Sequence, residues 1–179
     1  PGNGFGSTVV ALSTGNVVIT SPFDDAGGTD AGAVYLFNGA TGELISTLTG
    51  SQADDRVGYG GVTTLANGNF VVASPEWDNG GIVDAGAVTW GSGTIGVSGT
   101  VNTLNSLVGS SAEDMVGYYG VTALSNGNFV VSSPYWDNQG VADTGAYTWG
   151  SGSAGIVGTV SVTNSLVGTS ADDSLFSGN

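Results

Sequence analysis

A tandem repeat constrains the fold of this chain more than any other feature of its sequence. Residues 67–93, NGNFVVASPEWDNGGIVDAGAVTWGSG, return almost unchanged as residues 126–152, and residues 14–39 hold a looser copy. Leu107 and Leu166, each inside a Ser-Leu-Val-Gly sequence, are 59 positions apart. A fixed period of this kind indicates a repeat architecture, in which one structural unit packs against copies of itself.

The spacing divides the chain into three units of about 59 residues. We predict these units at residues 1–56, 57–115 and 116–174, and we expect residues 175–179 to start a further repeat or to form a tail. Because the sequence opens on Pro1 without a methionine or a signal peptide, we expect it to be a piece of a longer polypeptide.

Each unit has the pattern of four short strands. In the second unit, β-branched and aromatic residues predict strands at residues 61–65, 70–74 and 86–90, and a fourth strand within residues 95–107. The Asn-Gly dipeptide between the first two strands predicts a type I′ turn and therefore an antiparallel hairpin. Apolar residues show no helical spacing, so we expect very little helix.

Four antiparallel strands in every repeat predict an all-β fold made of propeller-like blades. A β-solenoid or a β-sandwich is the alternative, although solenoid coils usually repeat every ~20–30 residues. Propellers typically have about four to eight blades, so three units cannot close a ring. An open array would leave sheet edges free, and free edges favour self-association, including the formation of filaments.

The charge of the chain argues against several classes of function. The formal net charge is −14, Arg56 is the single basic residue, and the chain has no His and no Cys. Nucleic acids are bound through Lys and Arg, so nucleic-acid binding is not expected, and an anionic membrane surface is disfavoured for the same reason. No apolar run approaches ~18 residues, so membrane insertion is not expected either. The composition is typical of bacterial surface or secreted proteins.

Acidic side chains recur at two places in every unit. They are candidate calcium ligands, because Ca²⁺ binds about six to eight oxygen atoms from carboxylates, carbonyls and water. The alternative is that Asp and Asn stabilise turns by bonding to nearby backbone groups. One set is Asp24, Asp25, Asp30, Asp78, Asn79, Asp84, Asp137, Asn138 and Asp143, and the other is Asp54, Asp55, Glu113, Asp114, Asp172 and Asp173.

Tryptophan also recurs in register. Trp77 and Trp136 stand beside predicted turns, where they could form an aromatic platform for a sugar, or they could pack one unit against the next. Without His, Cys or Lys, the chain cannot build a catalytic triad, a thiol nucleophile or a Schiff base. A hydrolase with two carboxylates is conceivable, but acids that recur in every unit argue against a single active site. We therefore predict that the protein is not an enzyme.

The first unit has Phe5 and Gly6 near its start, Ser21 and Pro22 at the end of its second predicted strand, and a β-prone segment at residues 31–37. With these features it resembles the FG-GAP repeat of integrin α-subunits and related bacterial surface proteins. Phe5 and Gly6 match the FG element of that family, Ser21 and Pro22 stand at its Gly-Ala-Pro element, and residues 31–37 match the strand that follows. The resemblance implies a propeller of about seven blades and an extracellular role in binding or scaffolding.

The other two units are similar to a tryptophan-containing variant that occurs in tandem in bacterial adhesin-like proteins, with Val-Gly in place of Phe-Gly. The calcium-binding loop of FG-GAP repeats lies between the first two strands. Here residues 13–16, 66–69 and 125–128 occupy that place with short turns that have too few oxygen ligands. The family's own calcium site therefore does not carry over to this chain.

These observations predict a non-catalytic repeat protein at the cell surface or outside the cell. We expect it to act as a scaffold or adhesin, either by self-association into oligomers or filaments or as part of a longer repeat chain. The alternative is a lectin-like or protein-binding propeller module that uses loops on one face. The expected partners are copies of the chain itself, a cell-surface protein or a glycan, and the only candidate cofactor is Ca²⁺.

Overall fold

The computed structural model describes residues 2–171, and these residues form strands and turns with no helix. The first unit contains β1 (Val9–Ala11), β2 (Val17–Ser21), β3 (Ala33–Phe37) and β4 (Leu44–Thr49). The second contains β5 (Val62–Thr64), β6 (Phe70–Ser74), β7 (Ala87–Gly91), β8 (Gly99–Thr100) and β9 (Ser106–Val108). The third contains β10 (Val121–Ala123), β11 (Phe129–Ser133), β12 (Ala146–Gly150), β13 (Gly158–Thr159) and β14 (Ser165–Val167).

Each unit is a four-stranded antiparallel sheet whose strands pair in chain order. The orders are β1-β2-β3-β4 in the first unit, β5-β6-β7-β9 in the second and β10-β11-β12-β14 in the third. We call these sheets blades 1, 2 and 3. The prediction of an all-β protein with three repeats of propeller-like blades is thus confirmed.

The hairpin predicted at the start of each blade is present, but its turn is of another type. In blade 2 the amide of Gly68 donates to the carbonyl of Leu65 at 3.0 Å, and the amide of Leu65 donates to the carbonyl of Asn69 at 2.8 Å. Within this turn only Gly68 has a positive φ, of 85°. A type I′ turn needs positive φ at both central residues, so this is instead a three-residue loop that ends in a glycine bulge.

The fourth strand predicted within residues 95–107 is present, but it begins only at the end of that stretch, as β9. Only β9 completes blade 2, while residues 92–105 leave the blade and lie over blade 1. Within this segment β8 pairs in parallel with β4 of blade 1. Residues 151–164 lie over blade 2 in the same way, and their β13 pairs with β9. We call residues 92–105 and 151–164 the arms of blades 2 and 3. Blade 1 has only the short connection of residues 38–43 at this place.

The hydrophobic core lies between successive blades. Along β6, Phe70 and Val72 belong to the cluster shared with blade 1, whereas Val71 belongs to the cluster shared with blade 3. This alternation follows from the two-residue period of a strand. The arms add Val97 and Val101 to the first cluster, and Ile156 and Val160 occupy the equivalent places in the second. Blade 2 therefore buries both of its faces against its neighbours.

Candidate functional site

The arm is held by a backbone carbonyl at its start. The carbonyl of Gly152, in the arm of blade 3, accepts hydrogen bonds from the side-chain amides of Asn67 at 2.7 Å and Asn69 at 2.8 Å. It also accepts one from the indole N–H of Trp90 at 3.0 Å. All three donors belong to blade 2. One blade therefore uses its hairpin turn and its third strand to fix the arm of the next blade.

Glycine allows the arm to lie flat on the blade beneath it. A Cβ atom added to Gly155 would stand 2.7 Å from the Cβ of Trp90, and Gly155 has a φ of +73°, which side chains rarely adopt. Gly96, in the arm of blade 2, has a φ of +71° and lies against Ser46 and Leu36 in the same way. Neither position has room for a larger residue without movement of the arm.

The far end of the arm extends the sheet of the preceding blade. The amide of Val160 donates to the carbonyl of Val108, and the amide of Val101 donates to the carbonyl of Thr49, each at 3.0 Å. Beneath this pairing Leu107 is fully buried, with 0% of its surface exposed. Backbone bonds and apolar burial thus act together at this contact.

Blade 3 presents the same surface without an arm over it. Leu166 stands 59 positions after Leu107 and is 77% exposed, and Trp149, the counterpart of Trp90, is 54% exposed. Within residues 2–171, no acceptor is paired with the indole N–H of Trp149. We call this surface the end face. Its apolar part consists of Leu124, Val130, Trp149 and Leu166.

The most buried of the predicted metal ligands bind the backbone. The carboxylate of Asp55 is buried and accepts hydrogen bonds from the amides of Ser51 at 2.7 Å, Gln52 at 2.9 Å and Asp78 at 3.0 Å. Burial raises the pKa of Asp55, while the three amide donors act in the opposite direction. Because Asp78 follows β6 in the next blade, this carboxylate joins the loops of two blades.

Asp114 repeats this arrangement one unit further along. Its carboxylate accepts hydrogen bonds from the amides of Ser110 and Ser111 at 2.8 Å and of Asp137 at 2.9 Å. Burial raises the pKa of Asp114 as well. The recurrence shows that these two aspartates are structural ties between adjacent blades.

The acidic loop after the second strand of each blade is held by a hydrogen bond from a backbone amide to a carboxylate of the same loop. Asp84 has a φ of 50°, in the left-handed region that Asp tolerates better than most residues, and its amide donates to the carboxylate of Asp78 at 2.8 Å. Asp143 binds Asp137 and Asp30 binds Asp25 in the same way, each at 2.9 Å. These carboxylates stabilise their own turns.

The remaining predicted ligands are scattered. Asp24 is buried in blade 1 and accepts a hydrogen bond from the Tyr35 hydroxyl at 2.9 Å, and burial together with this bond raises the pKa of Tyr35 to about 12. The side-chain amide of Asn79 donates to the carbonyl of Gly109 at 3.1 Å, and Asp54 forms an ion pair with Arg56 at 3.2 Å. Glu113 is exposed, Asn138 closes a short β-bridge with Val141, and Asp172 and Asp173 lie outside the described residues.

In the part of the chain that the structure describes, no three acidic side chains come together as a metal site requires. The geometry therefore favours the alternative in which these residues stabilise turns. Calcium binding stays a prediction for which no site is identified.

Trp77 and Trp136 lie in the cores between blades and not on the surface. They are 3% and 4% exposed, so neither offers a ring face on which a sugar could stack, and the proposed aromatic platform does not fit this burial. Their indole N–H groups are buried without an acceptor among residues 2–171. The physical reason is that a large aromatic ring gains more from packing between two sheets than from standing beside a turn.

A tyrosine cleft between blades 2 and 3 was not predicted. The ring centroids of Tyr118 and Tyr135 are 5.1 Å apart, those of Tyr118 and Tyr119 are 5.6 Å apart, and Glu113 and Asp143 line the same cleft of about 360 Å³. At the equivalent place between blades 1 and 2, Arg56 pairs with Glu76 at 2.8 Å. The Tyr-Tyr dipeptide, where the preceding unit has Tyr-Gly, is the sequence signal that distinguishes this cleft.

These features define a tandem all-β repeat protein whose blades are joined by arms. One family model matches residues 11–59, 64–118 and 123–177, so the chain belongs to that family, which is described as a repeat of unknown function (DUF5650). The match confirms the tandem repeat and does not extend to the FG-GAP family. No curated protein matches the chain. Residues 2–171 contain no helix that could cross a lipid bilayer.

Proposed function

We propose that this chain is a non-catalytic extracellular repeat module that serves as a surface scaffold or adhesin. It would act by joining further repeats of its own kind into longer arrays. The observation that carries the proposal is the contrast between Leu107, which the next blade covers completely, and Leu166, which is 77% exposed in the same sequence context. A blade is thus built to be covered by another blade, and blade 3 has that surface available.

Two further features support the location and the absence of catalysis. The resemblance of residues 4–39 to FG-GAP repeats and the net charge of −14 both favour a protein outside the cell. The most buried carboxylates, those of Asp55 and Asp114, accept three backbone hydrogen bonds each. Such groups tie loops together and are not available as a general acid or base.

The location can be tested on the cells that make the protein. An antibody raised against the chain should label intact cells, and protease added outside should remove the label. Permeabilised cells treated in parallel show the total amount of protein. Labelling that requires permeabilisation would contradict the proposal.

Association between separate copies is the second part of the proposal. Light scattering and electron microscopy over a range of protein concentrations should show multimers or filaments. A monomer at every concentration would contradict association between copies.

A lectin-like or protein-binding function is the second candidate, and the tyrosine cleft is the observation that favours it. Exposed aromatic rings next to carboxylates can stack on a sugar or on a cationic side chain while the acids accept hydrogen bonds. A glycan or peptide array should show a ligand that Tyr118→Ala loses and Tyr59→Ala keeps, since Tyr59 occupies the equivalent place between blades 1 and 2. Equal binding by both variants would exclude the cleft as the site.

A further inference from the structure

We propose that the end face of blade 3 is a docking surface for the arm of another repeat of this family. The inference rests on the proposed assembly of repeats and names the part of a repeat that makes the contact. The end face and the arm are defined by contacts that the chain already makes twice, between blades 1 and 2 and between blades 2 and 3.

The apolar part of the end face has the same strand register as the surface of blade 2 that an arm covers. In blade 2, Leu107 pairs with Val88 of β7, and the arm of blade 3 adds to its other side through Gly158. In blade 3, Leu166 pairs with Tyr147 of β12 in the same register. The outer side of β14 has no partner strand within residues 2–171. It is a free sheet edge that a short parallel strand would complete.

The polar part of the end face supplies donors for a backbone carbonyl. In blade 2 these donors are the amides of Asn67 and Asn69 and the indole of Trp90, which converge on the carbonyl of Gly152. Blade 3 has Asn126, Asn128 and Trp149 at the same places in its repeat. The side-chain carbonyl of Asn128 already accepts from the amide of Gly152 at 3.0 Å. No described residue accepts from the side-chain amides of Asn126 and Asn128 or from the indole N–H of Trp149.

The geometry selects the occupant. An arm fits because glycine stands at the position of Gly155, where a Cβ atom would collide with Trp90 of the neighbouring blade. A second copy of this chain could present only its blade 1, which has residues 38–43 in place of an arm. Blade 1 differs from blade 2 at one further position. The buried Asp24 stands two residues after Pro22 in blade 1, at the place where blade 2 has Trp77 two residues after Pro75. The occupant is therefore a repeat that carries an arm, and not blade 1 of a second copy.

The test extends the chain by one blade. Residues 1–171 are followed by a second copy of residues 113–171, which keeps the 59-residue spacing because Ser-Ala-Glu-Asp is restored at the junction. Hydrogen–deuterium exchange of residues 162–171 is compared with that of residues 103–112, which an arm already covers. The extension should slow the exchange of β14 by about tenfold or more. A control extension, with its arm replaced by the sequence of residues 38–43, should leave it fast.

The outcomes separate the alternatives. Equal protection by both extensions would refute the need for an arm. An added blade that folds without protecting β14, or that stays unfolded, would refute docking, because contact with the end face is what should stabilise it. Protection of β14 that rises with the concentration of the unextended chain would make a second copy the occupant and overturn the inference. Leu166→Asp should remove the protection in the extended chain while leaving the unextended chain folded. Failure to label intact cells would refute the proposed location and would not affect this result.

Discussion

Replacing one leucine in two equivalent blades measures directly what an arm and a neighbouring blade contribute to stability. Leu107 and Leu166 occupy the same position of the repeat and are 0% and 77% exposed. Leu107→Ala removes buried methyl groups and leaves a cavity between blades 2 and 3, which costs about 2–5 kcal/mol in a packed core. Leu166→Ala acts on a side chain that water already reaches, so its cost should stay within about 0.5 kcal/mol.

The assay is urea unfolding followed by circular dichroism and tryptophan fluorescence. Leu48→Ala serves as a repeat of the buried case, because Leu48 is also 0% exposed beneath the arm of blade 2. The free energies of unfolding should therefore rank Leu48→Ala and Leu107→Ala far below Leu166→Ala and the unchanged chain. Equal losses at Leu107 and Leu166 would refute the reasoning, since they would show that the end face is covered in the isolated chain or that the arm does not cover blade 2.

Three further changes test the contacts between blades. Gly155→Ala should lower the free energy of unfolding by at least about 1 kcal/mol more than Gly80→Ala, as measured by thermal unfolding. Both glycines have positive φ, but only Gly155 of the two has a neighbour within contact distance of an added Cβ. Equal losses would show that the arm moves freely. Asp114→Ala should lower the free energy of unfolding by about 2–4 kcal/mol, because the buried carboxylate joins the loops of two blades. Glu113→Ala, at an exposed neighbouring residue, should change the free energy of unfolding by less than about 0.5 kcal/mol. A small loss for Asp114→Ala would contradict this structural role. Burial raises the pKa of Asp55 and Asp114, so the proton-linked part of the stability that they contribute is complete below the pKa of an unfolded aspartate and is lost as pH rises through the folded value. The melting temperature should accordingly rise as pH is lowered from about 7 toward about 4.5 at constant ionic strength, and a steady fall would contradict this sign.

The blades could be predicted from the sequence because their signals are local. The continuous apolar run at the start of Phe70–Ser74, a hairpin turn at Asn67 and Gly68 and a fixed period together specify an antiparallel sheet and its copies. The course of residues 92–105 is not predictable in this way. Their glycines and β-branched residues suit a strand in any sheet, and the strand they join belongs to the preceding blade, which only the packing of whole blades can determine.

The candidate site residues could likewise be predicted from the sequence only in part. The acidic positions were identified, but their partners are backbone amides of other loops, and a sequence pattern does not show which amides lie near a carboxylate. The burial of Trp77 and Trp136 likewise depends on the neighbouring blade, because a ring beside a turn is exposed in a single sheet and covered in a stack. The end face was not predicted at all, since it is defined by comparison of Leu166 with its covered counterpart.

The chemistry of the arm contact bears on how repeats of so acidic a chain can join. The residues that hold an arm are Asn, Trp, Gly and aliphatic side chains, and none of them is charged. With a formal net charge of −14, separate copies repel one another, and a neutral contact gives no electrostatic attraction to offset that repulsion. A repeat in the same polypeptide is already held beside the end face at a high effective concentration. Its docking therefore does not require two separate, mutually repelling molecules to approach each other. The arm contact therefore favours extension within a chain over association between chains, and added salt should narrow the difference because it screens the repulsion.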